Sequence, residues 1–504
     1  MAHHEGVIAF IDRHRAMLAL LSLGLAARFL LAFVVFPMAG YTGDMGLFWQ
    51  WAQSLAIHGP GTFYATTSSA NYPPAYLYVL WVLGIVGNPA LLKVPPMLAD
   101  IAIAAMVYAL ATRWRGARTG LVAVALFLFL PVSWYDSALW GQVDAVGTAV
   151  ALAALILLID GWSEAALTAA VLAVLVKPQY AITLAVVIPG LVRRHLVRVG
   201  SGPQPVMGSR LARLDRALGG LLHDQGPKRL VSSVVIAGII GLLVVLPFDL
   251  ATYAPTSLAD VPVIAPIAGL VGLLGRLGSD FSVLTANAFN PWALVGSPSL
   301  ASIAASGSGS WTADSLILVG GLSAAVVGGV VLAGIGLVVA GGLLVREGLV
   351  PILLGFTILA LAFFAVPTRV HERYLFPFFA TGAILAAPAL ATVAGFVAVS
   401  LLNTANLHAV LTGSLHASSG GAGGFGGGGG LGSGRGAGGF PGGGFGGTFT
   451  SISLPFGDVA ASQAAVTVSA VGLGITLLVL LGAWVAVVVG ARRPALRPVA
   501  LPGA

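Results

Sequence analysis

Cysteine is missing from all 504 residues, so disulfides and thiolate chemistry are excluded and no redox compartment can be read. Charge is nearly as scarce. Only 8% of the residues are Asp, Glu, Lys or Arg, whereas an ordinary soluble domain is roughly a quarter charged. The nine histidines show no metal-ligand spacing, and no internal repeat marks a solenoid or an inverted-repeat transporter. The net charge of +7 comes largely from arginine clusters in loops, which a membrane protein explains without any nucleic-acid partner.

What remains is apolar. Hydrophobic residues make up 58% of the chain, the mean hydropathy is +0.98, and the fold class expected is an all-α, polytopic transmembrane bundle. A span needs roughly 20 apolar residues, and basic loops are expected on the cytoplasmic side. Arg13 and Arg15 put the N-terminus inside, before a retained anchor at 16–37. Segment 91–112 returns to Arg113, Arg115 and Arg118, and 119–135 with 143–160 forms a hairpin. The basic loop 193–229 must lie on the same side as 113–118, so 164–192 is predicted to be two short passes with Lys177-Pro178-Gln179 at the tip. Further segments are 230–249, 314–345 and 349–366, two passes within 374–407 broken at Pro388, and 463–489. The expectation is about twelve spans, with a range of 11–13. Residues 419–447, with 19 glycines in 29 positions, cannot offset their ordering entropy and fit no phosphate-loop spacing. The domain reading is a bundle over 1–407, a flexible glycine-rich outer loop over 408–462, and a last helix with a basic tail over 463–504.

On this topology the unexplained polar groups fall on one, non-cytoplasmic face, and ionisable residues at such depths tend to mark function. Asp44 precedes an amphipathic segment in which Phe48, Trp51 and Leu55 share a face, followed by Tyr72-Pro73-Pro74. It is expected on a loop braced by interfacial helices, as a site residue or a solvated acid. Asp136, Gln142 and Asp144 straddle Trp140, a mixture that fits a carbohydrate and also fits a capped hairpin. Arg369, His371 and Arg373 make a clamp for phosphate oxygens or an interfacial belt, and a helix there would put the two arginines on one face. Lys177 is a second cation on that side, and Lys93 with Asp100 reads as a site pair or an internal ion pair.

The order of these motifs resembles the GT-C glycosyltransferases, and within them the dolichyl-phosphate-glucose-dependent glucosyltransferases and their bacterial polyprenyl-phosphate-sugar-dependent, mannosyltransferase-like relatives. Their first-loop acid, tryptophan-bearing helix, WY-like pair and YPP correspond to Asp44, Trp49 with Trp51, Phe63-Tyr64 and Tyr72-Pro73-Pro74. Their HFQYN turn corresponds to Trp140–Asp144, and VHEK to Val370–Arg373. The bacterial KLPxxxAD, KPQ, NAFN and HERYLFP match Lys93–Asp100, Lys177–Gln179, Asn287–Asn290 and His371–Pro377. The likeness covers roughly residues 15–407. The turn reads Gly-Gln-Val-Asp where the eukaryotic proteins have Phe-Gln-Tyr-Asn, so sugar and acceptor identity do not carry over.

The resemblance implies an inverting hexosyltransferase in the cell membrane that moves mannose or glucose from a polyprenyl phosphate to a lipid-linked or cell-envelope glycan acceptor. Asp44 would be the general base, with Arg369, His371, Arg373 and Lys177 on the donor phosphate. Trp49, Tyr72, Asp136, Trp140, Gln142, Asp144, Gln179, Asn287, Asn290 and Glu372 would bind substrate. No cofactor is expected and no metal is required, though a divalent ion is compatible with the scheme. A secondary transporter would be equally poor in charge but should show a repeat and mid-membrane ionisable groups. A non-catalytic glycan binder or flippase would keep the bundle without needing Asp44.

Overall fold

The computed structural model describes residues 2–217, 219–279, 281–295, 312–412 and 448–490. Among them the regular structure is helical and the only β pairing is in isolated bridges. Fifteen principal helices are used below: α1 Ala2–Phe29, α2 Thr42–His58, α3 Pro74–Val86, α4 Val94–Arg115, α5 Ala117–Phe129, α6 Asp144–Ile159, α7 Ser163–Val176, α8 Ala181–Val192, α9 Pro227–Val245, α10 Ile264–Ser279, α11 Ala324–Val345, α12 Leu349–Ala365, α13 Phe376–Ala386, α14 Leu390–Leu411 and α15 Gln463–Gly490. The glycine-rich stretch 419–447 and the basic residues after 490 lie outside the described residues.

Each segment read as a crossing is occupied by a helix. Residues 164–192 form the predicted hairpin of α7 and α8, and 374–407 divides into α13 and α14 around Pro388. Seven helices are long and apolar enough to cross a membrane, and α5 with the bent stretch after it, turned by 48°, makes an eighth. The other four, α6, α7, α12 and α13, have 16, 14, 17 and 11 residues, short of the roughly 20 that one crossing takes. Length therefore assigns seven or eight crossings where about twelve were expected. Helix α11 also starts at residue 324 rather than 314, because the chain from 312 first folds as turns that hold Asp314 against the 368–369 loop.

Helices α12 and α13 are buried almost throughout and form the centre of the bundle. Helices α9, α11 and α15 turn apolar side chains outward, such as Leu337 and Leu478, as lipid-facing helices do. The charged residues separate to opposite ends of α6, α7, α8 and α12. One end holds ion pairs Arg113–Asp160, Arg194–Glu347 and Arg229–Glu164. The other, about 24 Å away along a 16-residue helix at 1.5 Å per residue, carries Asp144, Lys177 and the 366–375 loop.

Candidate active site

The floor of the site is the segment before and within α2. Asp44 lies in the first turn of this helix, not on a loop, where a carboxylate is favoured by the helix dipole. Phe48, Trp51 and Leu55 share the expected face, but that face is buried in the protein and packs on α3. The two helices approach so closely that a Cβ on Gly84 would sit 2.0 Å from the Ala52 carbonyl oxygen. The Tyr64 hydroxyl donates to the Tyr72 carbonyl at 2.7 Å, and the Asp249 carboxylate accepts the Tyr64 and Ala65 N–H groups at 2.8 and 2.7 Å. The element carrying Asp44 is thereby pinned to the bundle.

Opposite it, Tyr135–Trp140 coil as a single π-helical turn, a device common at functional sites. The turn closes on Gly141, whose φ of +84° suits glycine and whose Cβ, if present, would lie 2.2 Å from Met45 Sδ. The Asp136 carbonyl accepts the N–H groups of Gly141 and Gln142, both at 3.0 Å. This geometry aims two side chains at one carboxylate oxygen. Trp140 Nε1 and Gln142 Nε2 donate to Asp44 Oδ2 at 2.9 and 2.5 Å, while Tyr41 stacks on the Trp140 ring at 4.7 Å. All these contacts fall on Oδ2, and the Asp44 side chain keeps 22% exposure, so Oδ1 faces accessible space.

The third wall is the loop before α13. Arg373 Nη1 donates to Glu372 Oε1 at 2.6 Å. Its Nη2 lies 3.7 Å from Asp44 Oδ2, its Nε lies 3.8 Å from Asp144 Oδ2 without a hydrogen bond, and its guanidinium sits over Trp140. Asp144 in turn accepts Lys177 Nζ at 2.8 Å and Gln179 Nε2 at 2.7 Å. Lys177 caps the end of α7 between the rings of Tyr72 and Tyr374. The structure thus joins Asp44, Tyr72, Trp140, Gln142, Asp144, Lys177, Gln179, Glu372 and Arg373 in one network of alternating charge.

Other expected site residues are placed differently. The stretch 366–371 is not helical, so Arg369 and Arg373 do not share a face. Arg369 instead donates through Nε to Asp314 Oδ2 at 2.5 Å and bonds the Gly278 carbonyl. His371 is beside the cluster, but burial first and then Arg373 and Lys177 hold its imidazole well below its usual pKa, so it offers a neutral hydrogen bond and no charge. Asp136 is wholly buried with neither carboxylate oxygen hydrogen-bonded, out of reach of a sugar. Asn290 spends its amide on the Phe364 carbonyl and the Trp292 N–H, which makes it a brace. Asn287 bridges to His371 through its backbone, and Trp49 is half-buried in the first-loop core. Lys93 does not pair with Asp100. Arg28 does, at 2.6 Å, and also donates to Ser133 Oγ, while Ser137 Oγ donates to Asp100.

Arg28 escaped the sequence reading, although a lone arginine inside an apolar run is a strong signal. Asn403 and Asn406 on α14 escaped it with more reason, since single asparagines in a helix carry no pattern. Asn403 Nδ2 donates to the Glu372 carbonyl at 3.0 Å. Asn406 donates to the Asn287 carbonyl at 2.8 Å and accepts the Phe289 N–H at 2.9 Å. One helix face thus holds both site loops. Among the described residues, no three His, Asp or Glu side chains converge as a metal site.

No family model and no curated protein matches this chain. In solved structures it is similar to the archaeal oligosaccharyltransferase AglB from Archaeoglobus fulgidus in complex with an inhibitory peptide and a dolichol-phosphate, with a TM-score of 0.40 and 14% identity over 93% of this chain. It is similar also to the Archaeoglobus fulgidus oligosaccharyltransferase tethered to an acceptor peptide containing the NVT sequon, with a TM-score of 0.38 and 14% identity over 94% of this chain. The chain spans 56% of the length of either neighbour.

Proposed function

We propose that this chain is a GT-C-type membrane glycosyltransferase that transfers a hexose from a polyprenyl-phosphate sugar to a lipid-linked or cell-envelope glycan on the non-cytoplasmic face. The observation that carries this reading is Asp44, fixed through Oδ2 by Trp140 and Gln142 with Oδ1 directed at accessible space beside a cation. A general base needs that arrangement, within about 3 Å of the proton it takes. The acceptor oxygen attacks the anomeric carbon, its proton passes to Asp44, and the bond from that carbon to the phosphate oxygen breaks. The electron pair leaves on the lipid phosphate, where Arg373 stands ready for the developing charge. Trp140 and Gln142 orient the base, and Asp144, held by Lys177 and Gln179, steadies the guanidinium. The bundle over 1–407 would contain this machinery entire.

The test is incubation of the purified protein with a panel of radiolabelled polyprenyl-phosphate sugars and glycolipid acceptors, with and without Asp44→Asn. Label transfer from one donor that disappears in the variant supports the reading. Transfer that persists in Asp44→Asn removes the base from it.

A further inference from the structure

The charges around Arg373 do not balance in favour of an incoming anion. Asp44, Asp144 and Glu372 are three carboxylates set against two cations, Arg373 and Lys177. His371 adds no positive charge, and the buried carboxyl of Asp136, within electrostatic reach of Asp144, Lys177 and Arg373, adds none either. A phosphodiester reaching this cluster would add a negative charge to one already in excess, at close range among largely buried side chains, where like charges repel strongly. Arg373 is moreover already occupied. Its one hydrogen bond in the cluster goes to Glu372 Oε1, whereas its buried Nε has no hydrogen-bond partner. Glu372 itself is 1% exposed, and its second oxygen, Oε2, is buried without a hydrogen bond. A carboxylate so placed has one oxygen suited to carry a proton and one suited to release an arginine.

We propose that Glu372 is the internal anion that occupies Arg373 until the donor arrives, and that the donor's phosphate displaces it as the Glu372 carboxyl takes up one proton. This rests on the donor reading above. The groups facing Glu372 are His371, Arg373 and Tyr374 of its own loop, Asp44 of α2, and Tyr41 before α2, with Asn403 of α14 holding its carbonyl. Burial raises the Glu372 carboxyl above its ordinary range and Arg373 pulls it back. When the guanidinium turns to phosphate the restraining influence weakens, and the Asp44 charge pushes the same way. Protonation leaves two carboxylates against two cations, so a bound monoanion only restores the single net negative charge that the cluster carries at rest. The device would favour a singly charged phosphodiester over a doubly charged phosphate, so product would leave more readily than donor.

The experiment is calorimetric titration of the full chain in nanodiscs with a short-chain polyprenyl alkyl phosphodiester, which carries a single charge and lacks the second ionisation near pH 6 of a monoester. Runs in two buffers of different ionisation enthalpy count the protons. The expected result is uptake approaching one proton per ligand, with affinity falling by up to tenfold per pH unit as pH rises. Glu372→Gln should bind with uptake near zero and a flat pH response, and His371→Gln should keep the wild-type uptake. Binding without uptake in the wild type overturns the inference alone and needs no variant to fold. Uptake that survives in Glu372→Gln, or binding that instead requires added Mg²⁺, overturns it as well. Absence of binding at every pH and with Mg²⁺ sinks the donor reading and the inference together.

Discussion

At the scale of residues, Asp44 and Arg373 sit 3.7 Å apart but are assigned separable tasks. Asp44→Asn keeps shape and most hydrogen bonding while removing the proton acceptor. Donor lipid should still bind, and transfer should fall by roughly 10²–10⁴-fold. Arg373→Ala should weaken donor binding and also slow turnover if its contact tightens as charge develops. Arg373→Lys should recover only part, because an ammonium lacks the forked contact. Unchanged kinetics in Arg373→Ala would leave that residue a packing role only. His371 gives a pH signature. Its folded form is held neutral by burial, Arg373 and Lys177, whereas an unfolded imidazole titrates near 6.5. Above that value it costs nothing. As pH falls below it the unfolded chain binds a proton that the folded chain refuses, so stability drops until the folded value is reached. The thermal midpoint of the wild type should fall from pH 6.5 to 5 more steeply than that of His371→Gln. Parallel curves would show that the imidazole is not held neutral.

At the scale of elements, the helices were legible because apolar runs and basic loops punctuate the chain so clearly. The split of 164–192 into α7 and α8 followed from charge parity alone, and Lys177 does lie at its tip against Asp144. Asp44, Trp140 and Arg373 stood out because a polar residue is conspicuous in a chain with so few. What the sequence hid were partners far along the chain. Nothing near Arg369 announces Asp314, 55 positions earlier, and nothing near Asp100 announces Arg28. The asparagines of α14 were hidden for another reason, since their bonds go to backbone atoms of distant loops. The hairpin remains testable in a membrane. A cysteine at position 177 should react with an impermeant reagent applied from outside, with no native thiol to mask it. Labelling that appears only after the membrane is breached would place that tip on the other side.

At the scale of the whole molecule, the glycine-rich stretch 419–447 is read as dispensable for folding. Deleting it should leave expression and thermal midpoint nearly unchanged, because loop closure varies slowly with length. A large loss of folded protein would mean that the stretch packs on the bundle. The buried Arg28–Asp100 pair has a consequence for how the chain is made. The partner of Arg28 lies 72 residues downstream. At roughly 5–20 residues per second of synthesis, α1 waits about 4–14 s in the translocon with an uncompensated charge. Arg28 lies in the last turn of α1, past the middle of the apolar span Ile11–Val35, so it disfavours integration by at most the about 2.5–3.5 kcal/mol that an arginine costs at a span's centre. Nascent chains stopped before residue 90 should therefore integrate α1 less completely than the same chains with Arg28→Leu. Chains extended through α4 should show no difference. Equal integration at both lengths would mean that α1 commits to the bilayer without its partner; the expected inequality makes the first helix a provisional passenger until the ribosome delivers Asp100.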